Sequence, residues 1–355
     1  MVNIAVLGYG TVGSGVVEVI NTNHKSINKR AGAEINVKYV LDLRDFPGDP
    51  VEKVLVHDYE IIANDPEVDI VVEVMGGIEP AYTFVKRALE SGKSVCTSNK
   101  ALVAKHGPEL MEIASAKNIN FLFEASCGGG IPIIRALNSS LTADEIDEIT
   151  GILNGTTNYM MYKMATEGSE FDAVLKEAQQ KGYAEADPTA DVEGYDACRK
   201  IGDDSFYAMV APFLVGQTSP LYSVNDVFNA VFVHGNVLGD AMFYGSGAGK
   251  LPTASAVVAD VVDEAKHLHR NIMTNWSSRP LKLMTMDEVE GRFFVRVKGT
   301  TVEQVEAVFD NVQIVNLKNL PGEFGFITEC MKQGTYEEKV HKLNGNVITM
   351  IRVKD

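Results

Sequence analysis

The sequence predicts an α/β protein whose N-terminal part is a doubly wound parallel sheet. Residues 2–7 (VNIAVL) are a short apolar run typical of a buried strand, and glycines connect them to the helical pattern VVEVI. Apolar runs at 35–41 and 69–74 continue the pattern, and a helix is predicted at 80–91. Strands that alternate with helices favour parallel pairing, so we expect helices on both faces of one sheet.

The remaining elements divide the chain into three predicted domains. The first domain, 1–130, gains strands at 94–97 and 119–124 and a helix at 108–117, and it ends in the glycine-rich stretch 125–135. For the second domain, 131–285, the predicted elements are a helix at 132–141, strands at 145–153 and 225–233, and a long amphipathic helix at 252–268.

The tail, 286–355, is predicted to be a small βαββαβ unit. Its strands are expected near 292–298, 312–317, 323–330 and 346–353, and its helices near 301–310 and 335–343. This order is that of a ferredoxin-like split βαβ fold.

Composition excludes several classes of protein. The chain has 355 residues, 45% of them hydrophobic, and a formal net charge of −16, which argues against nucleic acid and anionic membranes as partners. We expect no transmembrane helix and no signal peptide, hence a cytoplasmic protein. The four cysteines have no metal-ligand spacing and are interpreted as reduced thiols.

A glycine motif directly after the first strand predicts a dinucleotide site of the Rossmann type. Gly8 permits the tight turn, Gly10 lets the backbone approach a pyrophosphate, and Gly13 allows the helix to pack closely on the strand. Thr11 and Val12 open the helix, whose N–H groups favour an anion. The alternative is a glycine turn that binds nothing.

The choice between NAD and NADP stays open in the sequence. Asp42 follows the second strand, where an acidic residue binds the ribose 2′-hydroxyl of NAD. Arg44 lies just beyond it, and an arginine there favours the 2′-phosphate of NADP.

Further candidates lie where the next two strands end. Ligands of open parallel sheets bind beyond the carboxyl ends of the strands, which makes Gly76, Thr97 and Ser98 candidate cofactor-binding residues. Lys100 begins a helix at the same edge, where the helix dipole disfavours a cation. Its position near the expected nicotinamide favours a functional role over an ordinary exposed lysine.

Two segments are candidates for a substrate site. Residues 154–158 (NGTTN) follow a strand and offer N–H groups and hydroxyls, although they also suit a simple helix N-cap. The stretch 185–200 is rich in carboxylates and ends in Lys200, which could orient a hydroxyl or relay a proton. Its alternative is a solvated acidic helix face.

Six motifs together resemble a known family. They are GYGTVGSGVV, SNKALVA, EASCGGGIP, ILNGTTNYM, YAEADPTADVEGYDACRK and FYGSGAGKLPTASAVVADV. In this order they resemble the monofunctional homoserine dehydrogenases. The resemblance implies NAD(P)-dependent interconversion of L-homoserine and L-aspartate 4-semialdehyde, in threonine and methionine biosynthesis, by a homodimer or higher homo-oligomer. It also implies that the second domain binds substrate and dimerises.

The resemblance assigns roles to individual residues. The catalytic set it implies is Lys100, Lys200 and Asp196. It also places Glu185 and Asp191 on the substrate ammonium group and Gly155 and Thr156 at the amino-acid end, with Gly247 approaching the nicotinamide. A monovalent cation such as Na⁺ would bind Glu124 and the carbonyls of Cys127, Gly129 and Ile131.

Two departures from the family pattern bear on function. The helix that carries Lys200 runs directly into Gly202-Asp203-Asp204, so a piece of the second domain is predicted to be missing. The tail has the element order of a regulatory ACT domain, but its first loop reads Lys298-Gly299-Thr300-Thr301 instead of an Asp-x-Pro-Gly turn. A non-catalytic cofactor-binding paralogue and another Rossmann semialdehyde dehydrogenase are the alternative functions.

Overall fold

The computed structural model describes residues 1–181, 207–273, 284–317, 320–343 and 346–354. Contacts divide the chain into two compact units. One comprises Met1–Val192 with Val224–Ser278, and the other Glu193–Ser223 with Arg279–Asp355. The three-domain division of the sequence differs from this division by contacts and stays a prediction.

The strands and helices of the described residues are as follows. The strands are β1 (Val2–Leu7), β2 (Ile35–Leu41), β3 (Leu55–Val56), β4 (Ile70–Glu73), β5 (Ser94–Thr97), β6 (Phe121–Leu122), β7 (Ile146–Ile152), β8 (Phe213–Val215), β9 (Phe228–Gly235), β10 (Gly239–Ser246), β11 (Glu290–Lys298), β12 (Gln313–Val315), β13 (Glu323–Ile327), β14 (Met331–Lys332) and β15 (Val347–Lys354). The helices are α1 (Thr11–Thr22), α2 (His24–Ala31), α3 (Tyr59–Ala63), α4 (Ala81–Glu90), α5 (Lys100–Ala116), α6 (Ile133–Arg135), α7 (Gly155–Glu167), α8 (Phe171–Gln180), α9 (Lys250–Lys266), α10 (Val302–Glu306) and α11 (Gln333–His341).

The N-terminal sheet has the strand order β3-β2-β1-β4-β5-β6, and every neighbouring pair is parallel. This confirms the predicted doubly wound α/β fold. Both faces are covered by apolar side chains, with Ile4 and Val6 in one core cluster and Ala5 and Leu7 in the other. The carboxyl ends of β1, β4 and β5 meet at one edge, where such sheets bind ligands.

Two predicted boundaries in this region are wrong. Helix α5 begins at Lys100, as expected after strand β5, but it continues without a break to Ala116, so the separate start predicted at 108 is wrong. Asn99 caps the helix, and Pro108 is accommodated inside it. Strand β6 is shorter than the predicted 119–124. The N–H group of Glu124 donates to the Asp260 carboxylate at 2.9 Å instead of extending the sheet, and a 3₁₀ turn begins at that residue.

A second sheet contains the antiparallel strands β10, β9 and β7 in that order. β7 and β9 occupy the predicted positions, although β9 ends two residues later than expected. β10 was not predicted, since its sequence GDAMFYGS begins and nearly ends with glycine and lacks a clear alternation. One face packs on Ile131, Ile133 and Leu141 through Val231 and Val233.

The tail sheet has the order β12-β13-β11-β15-β8. Four of its strands, β11, β12, β13 and β15, alternate with α10 and α11 in the predicted βαββαβ order. The two-residue strand β14, between β13 and α11, was not predicted and pairs with the start of β11. β8 was not predicted, and it adds to β15 as a parallel edge strand. The core of this sheet is aromatic, with Phe293, Phe309, Phe326 and Tyr336 buried together.

No helix within the described ranges is long and apolar enough to cross a membrane. Cys96, Cys127 and Cys330 are free thiols, as the sequence predicted. Cys198 lies outside the described residues.

Helix α9 carries a fully buried carboxyl group at Glu264. Neither of its carboxylate oxygens has a hydrogen-bond partner. Burial, together with the charges of Asp260 and Asp263, raises the pKa of Glu264 well above its ordinary value. Asp260, one turn earlier, is also buried, but its carboxylate accepts a hydrogen bond from Arg135 Nη2 at 2.6 Å. Glu264 therefore opposes folding, because its polar group is buried without compensation.

We predict that Glu264→Met raises the free energy of unfolding by about 1–3 kcal/mol, the usual cost of an unsatisfied buried polar group. The pKa of Glu264 is higher in the folded than in the unfolded chain. Stability therefore falls as pH rises from about 4.3, the unfolded value, towards the folded pKa. In thermal unfolding, the melting temperature of Glu264→Met should therefore exceed that of the wild type by more at about pH 8 than at about pH 5.

Glu90→Met, which removes an exposed carboxylate at the end of α4, is the matched control. Equal shifts in both variants, or a lower melting temperature for Glu264→Met at the higher pH, would contradict this account.

Candidate active site

The turn between β1 and α1 has the geometry that a dinucleotide needs. Gly8 has φ +99°, and a Cβ there would lie 3.0 Å from Met75 Cγ. A Cβ at Gly13 would lie 1.9 Å from the Gly8 carbonyl oxygen, so only glycine fits. A Cβ at Gly10 would have no atom within 4 Å, so the backbone here borders open space. Thr11 and Val12 begin α1 and complete the turn.

Asp42 and Arg44 lie together after β2. Arg44 donates to Asp42 through Nε and Nη2, both at 2.9 Å, and the N–H group of Tyr9 donates to Asp42 Oδ2 at 2.9 Å. The guanidinium of Arg44 holds the pKa of Asp42 well below its ordinary value. The two residues that the sequence offered as alternatives therefore form one ion pair.

Lys100 is the first residue of α5 and is partly exposed at the carboxyl edge of the sheet. Asn99 caps the helix by accepting a hydrogen bond from the N–H group of Leu102 at 3.1 Å. Gly76 follows β4 with φ +79°. The structure thus brings Gly76, Thr97, Ser98 and Lys100 into the two turns that follow β4 and β5.

Thr97 is fully buried, so its side chain serves the protein interior. Its hydroxyl donates to Glu73 Oε2 at 2.5 Å. Glu73 also accepts a hydrogen bond from the N–H group of Met75 at 2.8 Å. We did not single out Glu73 from the sequence, although a carboxylate at the end of the apolar run IVVE is an unusual residue for a buried strand and could have drawn attention.

Three glycine loops approach each other beside the second sheet. A Cβ at Gly129 would lie 2.1 Å from the Gly247 carbonyl oxygen, and a Cβ at Gly247 would lie 1.9 Å from Asn229 Nδ2. A Cβ at Gly155 would lie 2.7 Å from the carbonyl oxygen of Val227, two residues before Asn229. Asn229 is buried within the apolar strand β9. We did not single it out from the sequence, although a polar side chain in an apolar strand could have indicated a contact with these loops.

The segment NGTTN begins α7. Asn154 is the N-cap, and its Oδ1 accepts a hydrogen bond from the N–H group of Thr157 at 2.8 Å. Gly155 and Thr156 form the first turn, and Thr156 is buried. The structure shows the helix N-cap that the sequence offered as the alternative, and the substrate role of this turn stays a prediction.

Glu124 lies beside the start of α6. Its carboxylate accepts hydrogen bonds from the N–H groups of Ile134 at 2.9 Å and Arg135 at 2.7 Å. Burial raises the pKa of Glu124, while these hydrogen bonds and the Arg135 charge oppose the rise. Within the described part of the chain, no group of three or more histidine, cysteine or acidic side chains is arranged to hold a metal ion.

Four predicted site residues lie outside the described residues. They are Glu185, Asp191, Asp196 and Lys200. The described site is therefore the cofactor edge of the first sheet together with the loops of the second.

Comparison with known proteins agrees with this geometry. The family model for the NAD-binding domain of homoserine dehydrogenase matches residues 8–124, and the model for homoserine dehydrogenase matches 132–202 and 204–262. The break at residue 203 is consistent with the junction predicted after Lys200-Ile201.

Relatives match over most of the chain. The homoserine dehydrogenase of Mycobacterium tuberculosis strain H37Rv is 39% identical over 413 residues, covering 98% of this chain and 90% of the relative. That of Synechocystis is 41% identical over 317 residues, covering 74% of this chain and 73% of the relative. Since 413 aligned positions exceed the 355 residues of this chain, the alignment contains positions that this chain lacks.

Solved structures agree with the sequences. A homoserine dehydrogenase from Thiobacillus denitrificans superposes with a TM-score of 0.87 at 32% identity, covering 100% of this chain and 98% of that one. A hyperthermophilic archaeal homoserine dehydrogenase in complex with NADPH gives a TM-score of 0.64 at 28% identity, and the match covers 74% of this chain and 97% of that one.

The fold and the glycine turn define an NAD(P)-binding oxidoreductase of the Rossmann class. Within that class, the matched family models, the relatives and the solved structures are all homoserine dehydrogenases. The chain belongs to the homoserine dehydrogenase family, whose members act on a CH–OH group. These findings favour the catalytic interpretation over the cofactor-binding paralogue.

Proposed function

We propose that the chain interconverts L-homoserine and L-aspartate 4-semialdehyde with NAD(P), as a step of threonine and methionine biosynthesis. The observation that carries the proposal is the position of Lys100, in the first turn of α5, at the same carboxyl edge of the sheet as the glycine turn of a dinucleotide site. The family names of the relatives supply the substrate.

The protein's part in this reaction is to bind, orient and manage one proton. The nicotinamide, when bound, supplies or accepts the hydride. Lys100 and Lys200 would stabilise negative charge on the reacting oxygen and hold its proton, with Asp196 orienting that oxygen. Glu185 and Asp191 would bind the substrate ammonium group, and the first turn of α7 (Gly155 and Thr156) would hold its carboxylate.

The test is an absorbance assay for the reduced nicotinamide with homoserine and either cofactor. We expect turnover by the wild type and its loss in Lys200→Ala. Folded protein that binds NADPH but turns over neither cofactor would favour the non-catalytic alternative. Unimpaired turnover by Lys200→Ala would remove Lys200 from the proposed catalytic set.

For the cofactor, we propose that the Asp42–Arg44 pair tunes the choice between NAD and NADP. The Asp42 carboxylate is oriented by the N–H group of Tyr9, as binding a ribose 2′-hydroxyl requires. The same charge repels a 2′-phosphate and engages Arg44. The carboxylate would therefore favour NAD, and the arginine, once released, would favour NADP.

Asp42→Ala is expected to raise the ratio of kcat/KM for NADP to that for NAD by roughly 10- to 100-fold, the worth of one charge-assisted hydrogen bond. Arg44→Ala should lower the ratio. Asp45→Ala is the control, because Asp45 is exposed and faces His57 at 3.1 Å. A ratio unchanged in Asp42→Ala would refute the role of the pair.

A monovalent cation is proposed at Glu124 and the carbonyls of Cys127, Gly129 and Ile131. The donor set consists of oxygens, which suit Na⁺. An ionised carboxylate has about four lone-pair sites, so the two N–H groups that Glu124 binds leave acceptor capacity. Equal melting temperatures in sodium chloride and in choline chloride of the same ionic strength would argue against this site.

We also propose that the chain forms a homodimer or a higher homo-oligomer. The second sheet supports this, since Phe228 and Tyr244 stack at 5.3 Å on an exposed part of it. Stacked aromatic side chains at the surface are typical of interfaces. A monomeric mass by light scattering would contradict the proposal.

A further inference from the structure

Glu73 is a buried carboxylate at the edge where the cofactor binds. It is the last residue of β4 and has no exposed surface. Burial raises its pKa, and hydrogen bonds from Thr97 and Met75 oppose that rise. A carboxylate is costly to bury, and an apolar residue would fill the same space at less cost. The presence of a carboxylate here is therefore explained by the backbone segments that its hydrogen bonds connect.

The carboxylate of Glu73 joins the two turns that follow β4 and β5. One oxygen accepts a hydrogen bond from the N–H group of Met75, at 2.8 Å, in the turn that leads to Gly76. The other accepts the hydroxyl of Thr97 at 2.5 Å. The backbone carbonyl of Glu73 also accepts the N–H group of Ser98 at 3.3 Å.

The connection continues from Thr97 to the helix that carries Lys100. Thr97 Oγ1 accepts the N–H group of Asn99 at 2.9 Å, and Asn99 Oδ1 caps α5 at the N–H group of Leu102. The Asn99 side chain also donates to the Gly77 carbonyl, which closes the circuit between the two turns. Every bond in this circuit lies within the fully or partly buried edge of the sheet.

We propose that Glu73 is a positioning residue for the reaction. It holds the turn after β4 and the first turn of α5 in a fixed relation, so that bound cofactor and the ammonium group of Lys100 meet in reactive geometry. It acts through Thr97 and Asn99 and touches neither substrate nor cofactor. The inference rests on the proposed role of Lys100, since it explains how that side chain is held.

The first test compares Glu73→Gln with Asp69→Asn. Asp69 directly precedes β4, at the end away from Glu73, and accepts the N–H group of Asn3 at 2.8 Å, so the same change of carboxylate to amide occurs beside the same strand, away from the site. A glutamine nitrogen cannot accept a hydrogen bond, so either the Met75 N–H group or the Thr97 hydroxyl loses its acceptor.

We expect Glu73→Gln to lower kcat with homoserine by about 10- to 100-fold, the effect of a misplaced reacting group. The dissociation constant for NADPH, measured by fluorescence without substrate, should rise as well. Asp69→Asn should change neither. Similar losses of stability in both variants, with kcat and cofactor affinity of Glu73→Gln at wild-type values, would overturn the proposal.

Thr97→Val tests the same circuit if Glu73→Gln fails to fold, because it removes the hydroxyl and keeps the carboxylate. Its kcat should fall similarly. Where Glu73→Gln folds, the double variant should be no slower than the slower single variant, since both changes break one connection. Additive losses would overturn the proposal. An NADPH affinity lowered by Glu73→Gln, beside full activity in a Lys100 variant, would refute the role of Lys100 and leave Glu73 only the part of holding the cofactor turn after β4.

Discussion

Replacement of Lys100 by methionine is expected to lower kcat for homoserine oxidation by about 100- to 10,000-fold, the range for loss of a group that transfers a proton. Methionine keeps the length of the side chain and removes its charge. The lysine is held at the start of α5, where the partial positive charge of the helix N-terminus adds to its own. Such a position disfavours the charged amine unless a negative charge lies nearby. Negative charge develops on the substrate oxygen when the carbonyl is reduced, and the amine would stabilise it.

The matched control is Lys105→Met, because Lys105 is exposed on the same helix. Its kcat should stay at the wild-type value. Steady-state kinetics, with the dissociation constant for NADPH measured separately, distinguish loss of the chemical step from loss of cofactor. A Lys100→Met variant that is slow only because it no longer binds NADPH would contradict the assignment to the reacting oxygen.

The second large effect is expected from alanine in the glycine turn, and it differs between two positions. A methyl group at Gly13 would meet the Gly8 carbonyl oxygen at 1.9 Å, so Gly13→Ala should displace α1 from β1. We expect loss of NADPH binding together with a lower melting temperature, because a forced shift in a packed core typically costs about 1–3 kcal/mol.

Gly10→Ala should separate these two effects. A methyl group at Gly10 meets no protein atom within 4 Å, so the fold should tolerate it. The space it enters is the one that the pyrophosphate needs. NADPH affinity should therefore fall while the melting temperature stays near that of the wild type. Equal NADPH affinity in Gly10→Ala and wild type would show that the pyrophosphate does not approach this residue.

Much of the fold could be predicted from the sequence because local patterns specified it. Short apolar runs followed by glycine or by a helical pattern correctly placed β1, β2, β4 and β5. The order of the tail elements followed from the same periodicity. These features depend on residues close together in the chain, and burial on both faces makes the strands uniformly apolar.

What could not be predicted depends on partners distant in sequence. Strand β8 exists because β15, far along the chain, offers it an edge. The Asp42–Arg44 ion pair was visible only as two competing signals, since the sequence does not show whether adjacent charges bind each other or a ligand. Glu73 ends one apolar strand and Asn229 lies near the start of another, and both contact loops that the periodicity of the sequence does not connect to them.

Strand β8 also has a consequence for dissecting the protein. The tail sheet is built from two separate stretches of chain, since β8 at Phe213–Val215 pairs with β15 at Val347–Lys354. A fragment cut at residue 286 would leave the backbone N–H and C=O groups along β15 without this neighbour. An uncovered edge of this kind recruits strands from other molecules. The tail is thus a discontinuous module. Its solubility in isolation depends on the segment that contains β8, which lies far from the rest of the tail in the sequence.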